Sequence, residues 1–369
     1  MKIVTNIARV LVGLLFIYSG LIKANDTVGF AYKLVEYFEV FGTHFMVPAA
    51  TPLSIFICIF EVALGFALLI GARLRLTLWL SMLMIIFFTF LTFYSAYFDK
   101  VNSCGCFGDA IKLTPWQSFT KDVILLVLLI IIIIGRQYVN PLFDNPKIEN
   151  GLLIIAIAAS TAFPLYTYNY LPVKDYRPYK IGTNLYEAMH PKLKYYYKLK
   201  NKKSAEVKEF ESWPENWDQE WDYVDSRTEN IAEGIEPIIG YTMQNQYGED
   251  YTDEFLMKEG YKFILVEYDL KKANKRVQGQ INDFAALCAA NKIEFVGLTS
   301  SDTTLQKQFI IDNNIGYTFY TNPDDVPLKT MIRSNPGLIL LNGPTVVEMW
   351  HYNSFPSFND LKAGGKYFK

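Results

Sequence analysis

Residues 122–135 read DVILLVLLIIIIIG, twelve consecutive apolar residues between one aspartate and one glycine. Widened to about 118–139, this run is long enough to cross a bilayer, which takes roughly 20 apolar residues. Four more runs of that kind stand at about 5–22, 51–70, 74–97 and 149–168. A soluble protein can bury one such helix. Five of them in the first 170 residues leave little room for that reading and point to a multi-pass membrane half. The first run lacks a small-residue cleavage site and is followed by further spans, so it reads as a retained helix rather than a signal peptide.

Outward from these runs, charge sets the orientation. Lys2 and Arg9 flank the start of the first span, GARLR (71–75) joins the second to the third, and GRQYVNPLFDNPK (135–147) joins the fourth to the fifth. Basic residues favour the cytoplasmic side, so these three segments are expected inside and 23–50 and 98–117 outside. An inside start and five crossings put everything after about 170 outside, which in a bacterium is the periplasm across the inner membrane. The chain has 369 residues and a net charge of −2 with no basic stripe, so nothing in it points to nucleic acid. Membrane lipid is its expected surrounding.

Two of the four cysteines, Cys104 and Cys106, fall in the outside segment VNSCGCFGDAIKLTP (101–115). Residues two apart are at most roughly 7 Å apart between Cα atoms, and a disulfide wants about 4.4–6.8 Å. The pair closes only if the chain bends at Gly105. Such a small ring is expected to be strained and easily reduced, as suits a redox-active bond. A structural bond and a metal site are the competing readings. Zinc prefers four ligands with wider cysteine spacing, and only His44, in another outside loop of the membrane half, looks available, so no metal is predicted. Cys58, inside the second span, reads as an inert packing residue.

Glu61 lies mid-span in IFICIFEVALGFALLIG (55–71). A carboxylate at that depth is costly and suggests either proton or quinone chemistry or a helix–helix hydrogen bond. Lys121 and Asp122 open the fourth span, where the lysine either anchors the helix at the interface or favours thiolate at a nearby cysteine. ANDTVGFAYKLVEYF (24–38) has helical apolar spacing among charges and is expected to lie on the outer membrane surface or as a lid over the bundle.

These stretches carry a resemblance. ARVLVGLLFIYSGLIKANDTVGFAYKL (8–34), EVALGFALLIGARLR (61–75), CGCFGD (104–109) and FTKDVILL (119–126) resemble the four-helix core of DoxX/MauE-like membrane proteins over roughly residues 3–140. With LPVKDYRPYKIGTNL (171–185), the whole resembles the DoxX-like proteins of Bacteroidetes. The resemblance implies a bundle akin to quinone-linked thiol oxidoreductases, with a membrane quinone as cofactor. The site residues expected on this reading are Cys104, Cys106, Glu61, Lys121 and Asp122.

After 170 the chain changes character. KLKYYYKLKN (192–201) and KKSAEVKEF (202–210) read as a β-hairpin. YKFILVEYDL (261–270), QGQINDFAALCAANK (278–292), IEFVGLTSS (293–301), DTTLQKQFIIDNN (302–314) and NPGLILLNGPTVVEMWHY (335–352) alternate as strand, helix, strand, helix and hairpin, with a turn expected at Asn342–Gly343. This order resembles a thioredoxin fold, with Pro336 in the place of its cis-proline. A catalytic thioredoxin carries C-x-x-C after the first core strand, but DLKKANKRVQ (269–278) has no cysteine, and Cys288 lies on the apolar helix face.

The expected architecture is therefore a transmembrane four-helix bundle (1–140), a cytoplasmic connection and fifth span (141–170), a β-rich linker region (171–258) and an α/β thioredoxin-like domain (259–369). Two functions compete. One is an inner-membrane thiol–disulfide oxidoreductase coupling the CGC pair and a periplasmic thiol partner to a quinone. The other is a non-enzymatic scaffold whose thioredoxin-like domain binds a periplasmic client protein.

Overall fold

A computed structural model describes residues 1–98, 100–101, 108–143, 145–215, 217–230, 235–365 and 367. The chain divides into two compact units, Met1–Tyr176 and Arg177–Lys369. Cys104 and Cys106 lie outside the described residues.

Among its described residues the first unit holds six long helices: α1 (Lys2–Asn25), α2 (Thr27–Val40), α3 (Ala50–Ile70), α4 (Leu74–Phe98), α5 (Pro115–Ile134) and α6 (Pro146–Asn169). All but α2 are long and apolar enough to cross a membrane, and the protein is a multi-pass membrane protein. The fourth span stops at Ile134, short of the expected 139, because Gly135 and a 3-10 turn over Arg136–Tyr138 end the helix. Its start is fixed by a capping box between Thr114 and Gln117, with Pro115 in the first turn.

Small residues set the closest crossing. A Cβ on Gly65 would lie 2.6 Å from the carbonyl oxygen of Gly13, and one on Gly20 would lie 2.7 Å from the Val62 side chain. Helices α1 and α3 therefore approach backbone to backbone, as small residues permit in a bilayer where apolar side chains gain little from leaving lipid. Helix α2 is the expected amphipathic segment. It is docked through Phe30, Ala31, Leu34, Tyr37 and Phe38 into the apolar core of the bundle. Asp26 caps it, accepting from the Gly29 N–H at 2.8 Å. Helix α6 is fastened at the α1–α2 junction, where the Thr167 hydroxyl donates to the Ala24 carbonyl at 2.5 Å.

Among its described residues the second unit contains two sheets. Strands β1 (Leu193–Asn201), β2 (Val207–Phe210) and β3 (Trp221–Asn230) form an antiparallel sheet in the order β2-β1-β3, which includes the expected hairpin. Strands β4 (Tyr261–Val266), β5 (Glu294–Thr299), β6 (Thr318–Thr321), β7 (Gly337–Asn342) and β8 (Thr345–His351) form a mixed sheet in the order β6-β5-β4-β7-β8. β4, β5 and β6 run parallel, while β7 and β8 run antiparallel. With the helices Gln278–Ala290 and Thr303–Asp312 as crossovers, and a cis Asn335–Pro336 bond ahead of β7, this is a thioredoxin-like fold. The β7–β8 turn is one residue later than expected. Asn342 pairs with Thr345, leaving Gly343–Pro344 as the loop, and Gly343 supplies the φ of +54° that its first position needs.

Two predictions follow from the packing. Gly65→Ala should push α1 from α3 and destabilise the bundle by about 1–3 kcal/mol, read as an earlier thermal transition in detergent; an unchanged transition would show that the crossing tolerates a methyl. In the second unit, burial pushes the Glu267 carboxyl up to about 8 from its ordinary 4.5. The unfolded chain releases this proton near 4.5 and the folded chain near 8. The stability it contributes is therefore full below the lower value and is lost as pH rises through the higher one. Glu267→Gln should flatten that slope in urea midpoints between about pH 5 and about pH 9; an equally steep slope would assign the pH dependence elsewhere.

Candidate functional site

The tight α1–α3 crossing decides which polar groups meet. Lys23 lies three residues beyond Gly20 on α1, and Glu61 four residues before Gly65 on α3. Their side chains form an ion pair of 2.5 Å between Nζ and Oε2, with the residues 2% and 4% exposed. Lys23 Nζ also donates to Ser19 Oγ at 2.7 Å and stands 5.2 Å from the centre of the Phe88 ring. The ammonium thus faces a carboxylate, a hydroxyl and an aromatic face. In an apolar bundle each contact offsets part of the lost hydration.

A second charged pair stands on α5. Asp122 is 1% exposed, and its Oδ1 lies 2.6 Å from Lys121 Nζ. Thr92 of α4 donates to its Oδ2 at 3.0 Å. Both pairs line one internal cavity of about 20 Å³, which Ser19, Phe16 and Phe88 also line. That volume holds about one water molecule. Two carboxylates and two ammonium groups therefore share a small pocket of balanced formal charge.

Lys121 also faces the other way. With Leu15, Trp116, Gln117, Thr120, Ile124 and Leu125 it lines an open groove of about 520 Å³ between α1 and α5. Leu15, Lys121 and Leu125 belong to both the groove and the internal cavity. The groove begins at the first turn of α5 and is apolar apart from Gln117, Thr120 and Lys121.

Three of the expected site residues, Glu61, Lys121 and Asp122, are thus brought to one cavity. Lys23 joins them and was not singled out from the sequence. It sits in GLIKAND near the end of the first apolar run, where a lysine reads as an interfacial anchor. The available signal was that Ser19 and Lys23 share a helix face, i to i+4. Cys58 is fully buried in α3 and is a free thiol, in keeping with a packing role. Among the described residues no group of histidines, cysteines and carboxylates is arranged to hold a metal.

In the thioredoxin-like unit, the loop after β4 is filled by core contacts. Leu270 and Ala273 are buried there, and Asn335 Nδ2 donates to the Asp269 carbonyl at 2.8 Å. Asn274 N–H donates to the Asn335 carbonyl at 2.9 Å, stitching this loop to the cis-proline segment. Under it, the Tyr317 hydroxyl donates to Glu267 Oε2 at 3.4 Å and accepts from Gln278 Nε2 at 3.2 Å. Burial pushes the Cys288 thiol up to about 12, so it stays protonated at neutral pH and is a poor nucleophile.

Comparison with known proteins follows this division. Residues 1–135 match the family model of the methylamine utilisation protein MauE. Protein TlpB of Flavobacterium psychrophilum is 28% identical over 163 residues, which is 43% of this chain and 42% of that relative's length. Among solved structures, the crystal structure of StoA from Bacillus subtilis aligns over 35% of this chain and 100% of its own, at 15% identity and a TM-score of 0.27. The fold assignment of the second unit rests on its strand order and crossovers.

Removing one member of the buried pair leaves the other charge without its partner, at a cost of about 3–5 kcal/mol. Lys23→Met and Glu61→Leu should each lower the thermal stability of the purified protein in detergent. The combined variant should recover most of the loss, since both charges then leave the apolar interior together. Single variants as stable as the parent would show that the two side chains do not pair.

Proposed function

We propose that this protein is an inner-membrane thiol–disulfide oxidoreductase that passes electron pairs from a periplasmic thiol client to a membrane quinone. The observation that carries the reading is the joining of two spaces. A buried, charge-balanced cavity at Lys23–Glu61 and Lys121–Asp122 shares a wall with a groove large enough for a ring head group. The internal cavity is far too small for a ring, so the groove is the space that fits. Trp116 offers an aromatic wall, and Lys121 and Gln117 offer hydrogen-bond donors to a carbonyl oxygen.

The chemistry balances as two exchanges. A client thiolate attacks one sulfur of the Cys104–Cys106 disulfide, breaking the S–S bond and releasing the other cysteine as thiolate. The client's second thiol then displaces the mixed disulfide. The client leaves oxidised, and Cys104 and Cys106 remain as two thiols. A quinone, when bound, accepts the two electrons and two protons that restore the disulfide. Lys121 would hold the head group at the inner wall of the groove. Glu61 and Asp122 would take up and return protons through the cavity between them. The segment 101–115 leads directly into α5, whose first two turns line the groove, so the cysteines and the groove are close in sequence. The second unit, outside by the charge rule, would receive the client polypeptide.

A second reading is favoured by one specific observation. The loop after β4 carries buried Leu270 and Ala273 where a redox thioredoxin carries cysteines. On that basis the protein would be a membrane scaffold whose thioredoxin-like unit binds a client without exchanging disulfides with it.

The two readings separate in one experiment. Cys104→Ser or Cys106→Ser removes the thiol that would resolve a mixed disulfide. On the first reading either variant accumulates a covalent partner on a non-reducing gel, while the double variant traps nothing. In cells lacking quinone, the parent pair should also accumulate in the reduced form. Absence of any adduct, with function retained in both single variants, would overturn the redox reading in favour of the scaffold.

A further inference from the structure

The mixed sheet of the second unit has two edges, and they are treated differently. Along β8, the segment before Leu185 supplies the missing partners. Gly182 N–H donates to the Val346 carbonyl at 2.8 Å, Val346 N–H to the Thr183 carbonyl at 2.9 Å, and Leu185 N–H to the Pro344 carbonyl at 2.9 Å. Along β6, among the described residues, the backbone cover is a single residue. Gln244 N–H donates to the Thr321 carbonyl at 2.9 Å, and Thr321 N–H donates back to the Gln244 carbonyl at 2.7 Å. The chain then turns away. Asn245 N–H donates to the Glu249 carbonyl at 2.9 Å, and Gly248 N–H closes back on the Asn245 carbonyl at 3.0 Å.

Backbone groups alternate along a strand as side chains do. The N–H and C=O of Phe319, two residues before Thr321, therefore point the same way as those of Thr321, away from β5. Asn322 N–H, bonded to the Thr299 carbonyl at 2.8 Å, confirms the opposite phase for the even-numbered positions. Phe319 thus presents an edge donor and acceptor, the pair that templates an added strand. Beside it lies a concavity of about 360 Å³. Tyr247, Tyr251, Lys307 and Ile310 are among the residues that line it, together with Phe319 and Tyr320 of β6; the Phe319 side chain is packed in the core, so its backbone is what faces the edge. Lys307 is the one charged residue among those lining it.

We infer that this edge is the docking strand for an extended segment of a client polypeptide. The segment continues the antiparallel pairing that Gln244 begins, exchanges hydrogen bonds with Phe319, and lays an apolar or aromatic side chain into the concavity. Lys307, the one charged residue lining it, selects a segment carrying an acidic residue. This rests on the reading that the second unit receives a polypeptide, and it names the strand that does so. Backbone pairing supplies affinity with little dependence on sequence, and the concavity with Lys307 supplies the choice of side chains.

The test uses the full-length protein in detergent and a fluorescein-labelled hexapeptide, VTVEVT, followed by anisotropy. Saturable binding is expected. Methylating the peptide amides that face β6 should weaken it by about tenfold, the loss of one or two hydrogen bonds. Lys307→Glu should weaken it by about threefold, as for an exposed charge pair, and should favour VTVKVT instead. Equal affinity of the methylated peptide, indifference to Lys307→Glu, or no saturable binding would each overturn the inference. So would sedimentation showing that the free protein already self-associates through this edge. The outcome is separable from the redox question. If the cysteine variants trap no partner but the peptide binds as described, β6 remains the docking strand of a scaffold. If an adduct forms and the peptide does not bind, the client docks elsewhere.

Discussion

The membrane unit turns on one contact, the Lys23–Glu61 ion pair. Neither charge is affordable alone in an apolar bundle, so each helix carrying one needs the other. The glycines at 13, 20 and 65 let α1 and α3 approach closely enough for the two side chains to meet. Once they meet, Ser19 and Phe88 are fixed around the ammonium, and the cavity shared with Lys121 and Asp122 is defined by what remains between them. Packing and chemistry are therefore not separable here. The residues that bring the helices together also decide which charged groups meet.

Much of the fold was legible because its signals are long. Five apolar runs and an alternation of strands and helices survive small errors of boundary. The misplacements came where a single residue decides: Gly135 ends the fourth span early, and Pro344 rather than Asn342 shares the turn with Gly343. The site was legible in part for the same reason. Glu61 stands out as a carboxylate in an apolar run, and Asp122 as the acid ahead of one. Lys23 did not stand out, because its meaning lies in a helix 38 residues away. No pattern along the chain marks a contact between helices; the glycines that enable it look like ordinary punctuation within a span.

The thioredoxin-like unit packs the loop after β4 inward. Leu270 and Ala273 give that loop a core role, and Glu267 remains beneath it as a buried acid joined to Tyr317 and Gln278. Residues 269–278 contain no cysteine, and the strand order and the cis Asn335–Pro336 segment stand without one. What is left open is the far edge of the sheet, where β6 is covered at one residue and the chain then turns aside.

The balance of the charged cavity has an electrical consequence. Lys23, Glu61, Lys121 and Asp122 sum to zero formal charge, so the resting cluster feels no net force from the voltage across a membrane. A proton moved along the membrane normal does feel it, at about 2.3 kcal/mol per elementary charge for each 100 mV crossed. On the proposed function, proton exchange between Glu61 and Asp122, which sit on different helices around one cavity, would be voltage-dependent to the extent that their separation has a component along the normal. On the proposed function, the bundle would couple to the membrane potential only when protons move.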